Sequence, residues 1–303
     1  MQLSVVIPSW NDLPQLQRCL TSLQKQALPR EQFQIVIVDD GSTDGTADWL
    51  RQQDDVTAIV LAENRGRSAA RNAGLHQATG ELIIFLDADL TVPEDYLTAH
   101  LAQAERGVVS LGRVRFSEES GRTGFQRYME TRGAYKHRDG SDLPPRYFVT
   151  CNAMVPSALL KSVDGFDERM RRWGGEDMDM GLRLAQKGAR FAFNSRALAF
   201  HHQQRSFDKH LQNMEVFGRY NLPLLLDRHP GLDRELQMRL LLPGGSIMLR
   251  LLFCSGLSGG LLALLKWTEN ILRSWRLPDR LYDLAIFMAT ARGLKRGEHG
   301  TTD

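Results

Sequence analysis

The stretch Gly80-Glu-Leu-Ile-Ile-Phe-Leu-Asp-Ala-Asp89 decides the reading of the fold. Its apolar run Leu82–Leu86, bounded by Gly80 and by acids, fits a strand buried on both faces. Three similar runs precede it: Leu3–Ile7, Gln34–Val38 and Thr57–Leu61. Between them the period changes to helical. Leu13, Leu16, Leu20 and Leu23 recur on one helix face, with Asn11 or Asp12 placed to cap and Pro14 in the first turn. A short helix is expected around Ala47–Gln52 after the turn Gly41–Gly45, and a longer one over Ser68–Ala78, closed by Gly80. This alternation implies an α/β fold, a mostly parallel, Rossmann-like sheet with helices on both faces.

Ligands of such sheets bind beyond the carboxyl ends of the strands. Pro8, Asp39-Asp40, Asn64-Arg65-Gly66 and Asp87-Ala-Asp89 fall at those ends. Asp87 and Asp89, two apart on an extended chain, would point the same way and address one ligand. Two acids that close repel unless a cation lies between them or one takes a proton. Mg2+ or Mn2+ shared with a diphosphate would resolve the conflict; solvated loop acids before Pro93 are the bland reading. Asp39 suits a ribose hydroxyl or a nucleobase N–H, or else supplies turn chemistry with Asp40 and Ser42. Arg67 and Arg71 share a helix face, where an arginine could pair with Asp39 or Asp87, face an anion, or simply lie at the surface.

Beyond residue 107 the pattern mixes. Val108–Phe116 and Phe148–Val155 are candidate strands, and polar Gly121–Pro145 is expected to be a mobile loop or lid. Trp173-Gly-Gly-Glu-Asp177 precedes a helical pattern, so Glu176 and Asp177 fall in a first turn, where the helix dipole favours acids. The glycines would leave an open surface, and an aromatic beside an acid suits a sugar, which makes the pair a candidate catalytic base. A strand pair, Phe191–Phe193 and Ala197–Phe200, ends at His201-His202. One of these imidazoles could complete a metal shell begun by Asp89, against the commoner reading of a polar surface or core histidine.

After Arg205 the pattern becomes helical. Leu240–Leu265 is apolar apart from Arg250, and its charge-free part, Leu251–Leu265, is shorter than the roughly 20 residues that span a bilayer. Lys266, Arg273, Arg276 and Arg280 follow, so a helix lying in a membrane interface is expected over 240–280, with a buried core helix as the alternative. The net charge of +2 shows no nucleic-acid footprint. Cys19, Cys151 and Cys254 are too scattered for a zinc ribbon or disulfide framework. With no secretory pattern at Met1–Pro8, the expected location is the cytoplasm, at the membrane face if the tail binds lipid.

Together these motifs resemble the family 2 glycosyltransferases, which have the GT-A fold. The matching stretches are Val5–Ser9, Val38–Asp44, Asn64–Gly66 with Ala70–Gly74, and Gly80–Asp89. Trp173–Asp177 is similar to the acceptor-side motif of galactosyl- and N-acetylgalactosaminyltransferases. The resemblance covers residues 1–205, expected as the catalytic domain, and leaves 206–303 as a helical C-terminal region. It implies that Pro8 and Asp39 hold the nucleobase, usually uracil, and that Asn64 and Arg71 support the nucleotide pocket. It places Asp87 on the ribose or metal side, and Asp89 and His201 on Mn2+ or Mg2+. Asp177 would be the base, with Glu176, Trp173 and Gly175 shaping the acceptor and donor-sugar pocket. The implied activity is inverting transfer from a nucleotide sugar, UDP-linked, to a glycan or lipid-linked acceptor. A sugar nucleotidyltransferase lacks support because no Gly-rich basic loop follows the first strand. A dehydrogenase would need an early Gly-x-Gly-x-x-Gly, which the sequence lacks. A non-catalytic binding homologue need not keep Asp87, Asp89 and Asp177 together.

Overall fold

The structure, a computed structural model, describes residues 2–203, 205–240 and 256–298. Two compact units emerge. The first comprises Met1–Ser120, Glu130–Arg171 and Glu176–Gln203, the second Gly121–Met129, Arg172–Gly175 and Gln204–Asp303. Two segments that the expected boundary near residue 205 leaves in the first domain therefore pack with the second unit.

The first unit opens with β1 (Leu3–Ser9), α1 (Leu13–Leu23), β2 (Phe33–Asp39), α2 (Thr46–Leu50), β3 (Thr57–Val60), α3 (Arg67–Gln77) and β4 (Leu82–Leu86). β5 (Leu90–Thr91), α4 (Tyr96–Leu101) and β6 (Val108–Phe116) follow. After α5 (Gly124–Met129), which belongs to the second unit, come β7 (Asn152–Pro156), α6 (Ser157–Lys161), α7 (Glu176–Gln186) and β8 (Arg190–His201). The sheet order is β3-β2-β1-β4-β7-β6-β8-β5. The first four strands pair in parallel, β7 runs antiparallel to both β4 and β6, β6 and β8 are parallel, and β5 closes antiparallel on β8.

Burial on both faces explains the near-continuous apolar runs. Leu3, Val5, Ile7, Ile35, Ile37, Ile84 and Leu86 pack with Leu16, Leu20 and Leu23 of α1 and with Tyr96 and Leu97 of α4. The alternate residues Val6, Val36, Val38, Ile83 and Phe85 pack on the other side with Ala70 of α3, Leu160 of α6 and Met180 and Leu184 of α7. A period of two thus feeds two helical layers.

Three expectations change. The candidate strand Phe148–Val155 shortens to β7, because a 3-10 turn at Pro145–Tyr147 runs into Phe148, whose N–H donates to the Pro145 carbonyl. The strand pair ending at His201 is one strand, β8, whose register against β6 shifts between Gly112 and Arg113. Asn194 holds the irregularity: its Oδ1 accepts from the Arg196 and Ala197 N–H groups and its Nδ2 donates to the Ala99 carbonyl. The expected lid at Gly121–Pro145 is instead structured, with α5 and a 3-10 turn at Gly133–Lys136.

The second unit consists of α5, α8 (Phe207–Arg228), α9 (Leu232–Glu235), α10 (Gly256–Ile271) and α11 (Asp279–Glu298). Phe125 and Tyr128 of α5 join Phe207, Leu211, Leu262, Leu265, Tyr282 and Met288 in its core. α8 and α11 meet nearly backbone to backbone, since a Cβ on Gly293 would lie 2.0 Å from the Glu215 carbonyl oxygen. Most of the apolar run Leu240–Leu265 falls at 241–255, outside the described residues, as does Cys254. No helix among the described residues is long and apolar enough to cross a membrane.

A Cβ at Gly80 would sit 2.5 Å from the Leu3 carbonyl carbon and the Ser4 nitrogen of β1, with no flexible side chain to give way. Gly80→Ala is therefore expected to cost about 1–3 kcal/mol, read as a lower urea midpoint at unchanged slope.

Candidate active site

The carboxyl ends of β1 and β2 are tied together, with Ser9 opposite Asp39 and Pro8 opposite Val38. Asp39 is buried; its Oδ1 accepts from the Ser42 N–H at 3.1 Å, while Oδ2 has no hydrogen-bond partner among the described residues. Asp40 has a structural task. Its carboxylate accepts from the N–H groups of Arg65 (2.7 Å) and Gly66 (2.9 Å), fixing the loop that leads into α3. Burial pushes the Asp40 carboxyl upward against these bonds. Asn64 lies exposed on the same loop.

Arg71 gathers the acids. It is 3% exposed on α3, and Nη1 lies 3.1 Å from Glu176 Oε1 and 3.4 Å from Asp177 Oδ1. Nη2 lies 3.6 Å from Asp87 Oδ1, and the guanidinium sits over the Phe166 ring. Arg71 therefore joins the end of β4 to the start of α7. The other side of α7 is held by contact: a Cβ on Gly181 would lie 2.4 Å from the Pro145 carbonyl oxygen. Asp177 has a further partner in buried Thr150, whose hydroxyl donates to Oδ1 (2.8 Å) and whose N–H donates to Oδ2 (3.2 Å). Burial first, opposed by Arg71 and helped by the Glu176 charge, pushes the Asp177 carboxyl up to about 6. The Asp177 side chain is 22% exposed against 5% for Glu176.

The two acids of Asp87-Ala-Asp89 do not address one point. The chain turns after β4, with the Leu90 N–H donating to the Asp87 carbonyl, so the expected extended geometry is lost. Asp87 goes to Arg71, and Asp89 goes to the end of β8. Leu90 pairs with His201 in the sheet, which sets Asp89 Oδ2 3.0 Å from His201 Nε2. The His201 Nδ1–H donates to the Gln203 carbonyl at 3.0 Å. Nε2 then faces the Asp89 carboxylate. His202 diverges to the Thr91 hydroxyl, 2.7 Å away. Asp12, whose carboxyl accepts from the Gln203 side chain, is raised by burial and then by the charge of Asp89.

Trp173 and Gly175 belong to the second unit. Gly174 and Gly175 have φ of 82° and 98°, a left-handed backbone that favours glycine. They do not open a surface as expected. A Cβ on Gly175 would crowd Phe217, Asn221 and Leu225 of α8, and Asn221 Nδ2 donates to the Arg172 and Gly174 carbonyls. The Trp173 ring meets His210 edge-on at 6.0 Å.

Thr150 and Asp12 were not marked as site residues by the sequence. Thr150 lies in an unremarkable approach to β7, and Asp12 reads only as a helix cap. A position just past the end of β1 is the sole signal Asp12 carries, and Thr150 carries none.

The family model described as Glycosyl transferase family 2 matches residues 4–163, more than half the chain. The chain belongs to glycosyl transferase family 2. A second model, described as the N-terminal domain of galactosyltransferase, matches residues 138–209 and takes in Thr150, Glu176, Asp177 and His201 of this family 2 chain. An uncharacterized glycosyltransferase of Bacillus subtilis, YfnE, is 28% identical over 297 residues, covering 80% of this chain and 74% of that protein. Several other relatives are longer, and the chain spans 48% to 61% of them. Among solved structures, TarS of S. aureus in complex with UDP-GlcNAc has a TM-score of 0.59 at 18% identity, covering 99% of this chain and 92% of that one. Mannosyltransferase PcManGT of Pyrobaculum calidifontis, in complex with GDP-Man and Mn2+, also has a TM-score of 0.59, at 20% identity, covering 96% and 86%. At that identity the likeness establishes the fold, GT-A.

Arg71→Met is expected to cost about 3–5 kcal/mol at pH 7, because it strands buried carboxylates without a counter-charge. Without the guanidinium, the Asp177 carboxyl, already raised by burial, rises further above its unfolded value. The folded state then binds more protons than the unfolded one, and the penalty shrinks as pH falls below the folded values. Urea unfolding of both proteins at pH 7 and near pH 4 checks this; an equal gap at both would contradict it.

Proposed function

We propose that this chain is an inverting, divalent-cation-dependent glycosyltransferase that moves a sugar from a nucleotide sugar, UDP-linked, to a hydroxyl of a glycan or lipid-linked glycan. The Asp177 carboxylate carries this reading. It is held by Thr150 through two hydrogen bonds, lies beside Arg71, is pushed up to about 6 and is more open than its neighbour Glu176. A base poised near neutrality can take the proton of an acceptor hydroxyl as that oxygen attacks. Glu176, buried against Arg71, positions the guanidinium instead. A base acting opposite a nucleoside diphosphate leaving group gives direct displacement with inversion at the anomeric carbon.

On the donor side, the Asp39 Oδ2 atom has no hydrogen-bond partner among the described residues, which supports it as the acceptor of a nucleobase N–H beside Pro8 and the Ser42 turn. The residues at the end of β5 and β8 fit a divalent cation. Asp89 and His201 bring one oxygen and one ring nitrogen within 3.0 Å, and the Nδ1–H bond to Gln203 orients the ring with Nε2 toward Asp89. No group of three or more such ligands occurs among the described residues, so donor phosphate oxygens would complete the shell. A cation there supplies Lewis-acid neutralisation of the departing diphosphate.

A screen of nucleotide sugars with manganese, reading released nucleotide, tests the reading. UDP release that depends on acceptor and metal is expected. Asp177→Asn should lower transfer by ~10²–10⁴-fold while nucleotide binding persists. Full transfer by that variant would remove Asp177 from the base role, and pyrophosphate release from a sugar phosphate plus UTP would replace the reading with a nucleotidyltransferase.

A further inference from the structure

Independently of the proposed reaction, the second unit displays an apolar face that none of the described residues covers. Leu261, Leu264, Trp267 and Ile271 of α10, with Leu272 and Trp275 just beyond it, are exposed. The two tryptophans are 62% and 72% accessible. The other large apolar side chains comparably exposed among the described residues, such as Trp10, Val60 and Val149, are scattered. These six are not. Positions 261, 264, 267 and 271 recur at the i+3 and i+4 spacing of one helical stripe, and Trp275 follows in the turn after α10. Leu262, Leu265 and Glu269 occupy the opposite face and are buried. α10 thus has an inner face sunk in the core and an outer face as apolar as the inner one.

The charge around the stripe identifies the occupant. Between Gly256 and Leu277 the sole acidic residue is Glu269. It is turned inward, accepting from the Phe125 N–H and the Tyr282 hydroxyl. Lys266 and Arg276 flank the stripe but are offset by ion pairs with Asp208 and Asp279, so the excess positive charge beside it comes from exposed Arg273, between the two tryptophans, and Arg280. Two copies of this face would set basic edge against basic edge. An anionic headgroup layer would meet those edges with opposite charge and receive the apolar side chains beneath. Tryptophans at the margin suit such a boundary, since each ring has an apolar body and one N–H donor. The sequence leading into α10, Leu240–Phe253, carries Arg250 as its only charge and continues the apolar character. No described helix is both long and apolar enough to cross a membrane, and an apolar face beside basic residues suits an element lying in the interface.

We propose that the Leu261–Trp275 face docks the protein peripherally on an anionic lipid surface. The full chain would be sedimented with vesicles of phosphatidylcholine plus phosphatidylglycerol, and with phosphatidylcholine alone. Binding to the anionic vesicles, reduced by salt and accompanied by a blue shift of tryptophan emission, is expected. Trp267→Ser with Trp275→Ser should weaken that binding by ~tenfold or more. Both residues are exposed, so the variant's thermal unfolding and nucleotide binding should match the parent's. Three results would overturn the proposal: no sedimentation with either vesicle, undiminished binding of the double variant, or a self-associated parent that the same substitutions turn into monomers.

Discussion

The Arg71 guanidinium, buried on α3 against Asp87, Glu176 and Asp177, is the interaction on which the rest of the site depends. One cation faces three carboxylates from two segments far apart in sequence. Its charge permits burial of acids that would otherwise repel, yet it cannot neutralise all three. The surplus is felt at Asp177, where burial and the Glu176 charge outweigh Arg71 and lift the carboxyl to about 6. The same contact therefore fastens the start of α7 to the end of β4 and sets the basicity of the residue α7 presents. Glu176, nearly inaccessible, anchors; Asp177, more open and held by Thr150, is the residue proposed as base.

A second constraint separates the two acids after β4. A turn at Asp87–Leu90 sends the first to Arg71, and the two-residue strand β5 carries the second to His201. The short pairing of β5 with the end of β8 thus assembles the candidate cation site from residues more than a hundred positions apart. The proposed division of labour, leaving group at Asp89 and His201 and proton at Asp177, follows from this parting of neighbours.

The parallel half of the sheet was legible because each strand is apolar on both faces and each helix shows its own period. Leu82–Leu86 matches its expected limits for that reason. Misreadings came where side chains bond to backbone or where contacts reach across the chain. Asn194 keeps β8 continuous through a break in register that looks like a turn in sequence. Phe125 and Tyr128 are buried by helices that follow more than eighty residues later, so a polar stretch around them reads as a lid. The two-residue spacing of Asp87 and Asp89 implied a shared direction only while the strand continued, and it does not. Gly174 and Gly175 signalled openness, whereas their left-handed backbone lets the loop pack under α8. Thr150 offered no signal, since its importance comes wholly from standing next to Asp177.

The central claim is that burial and the crowded acids around Arg71 leave Asp177 a base poised near neutrality. Carbon-13 NMR of the protein labelled at aspartate carboxyls, with the resonance assigned by its loss in Asp177→Asn, measures this directly. The account predicts a midpoint near pH 6 for that carboxyl. A midpoint in the ordinary aspartate range, near pH 4, would contradict it.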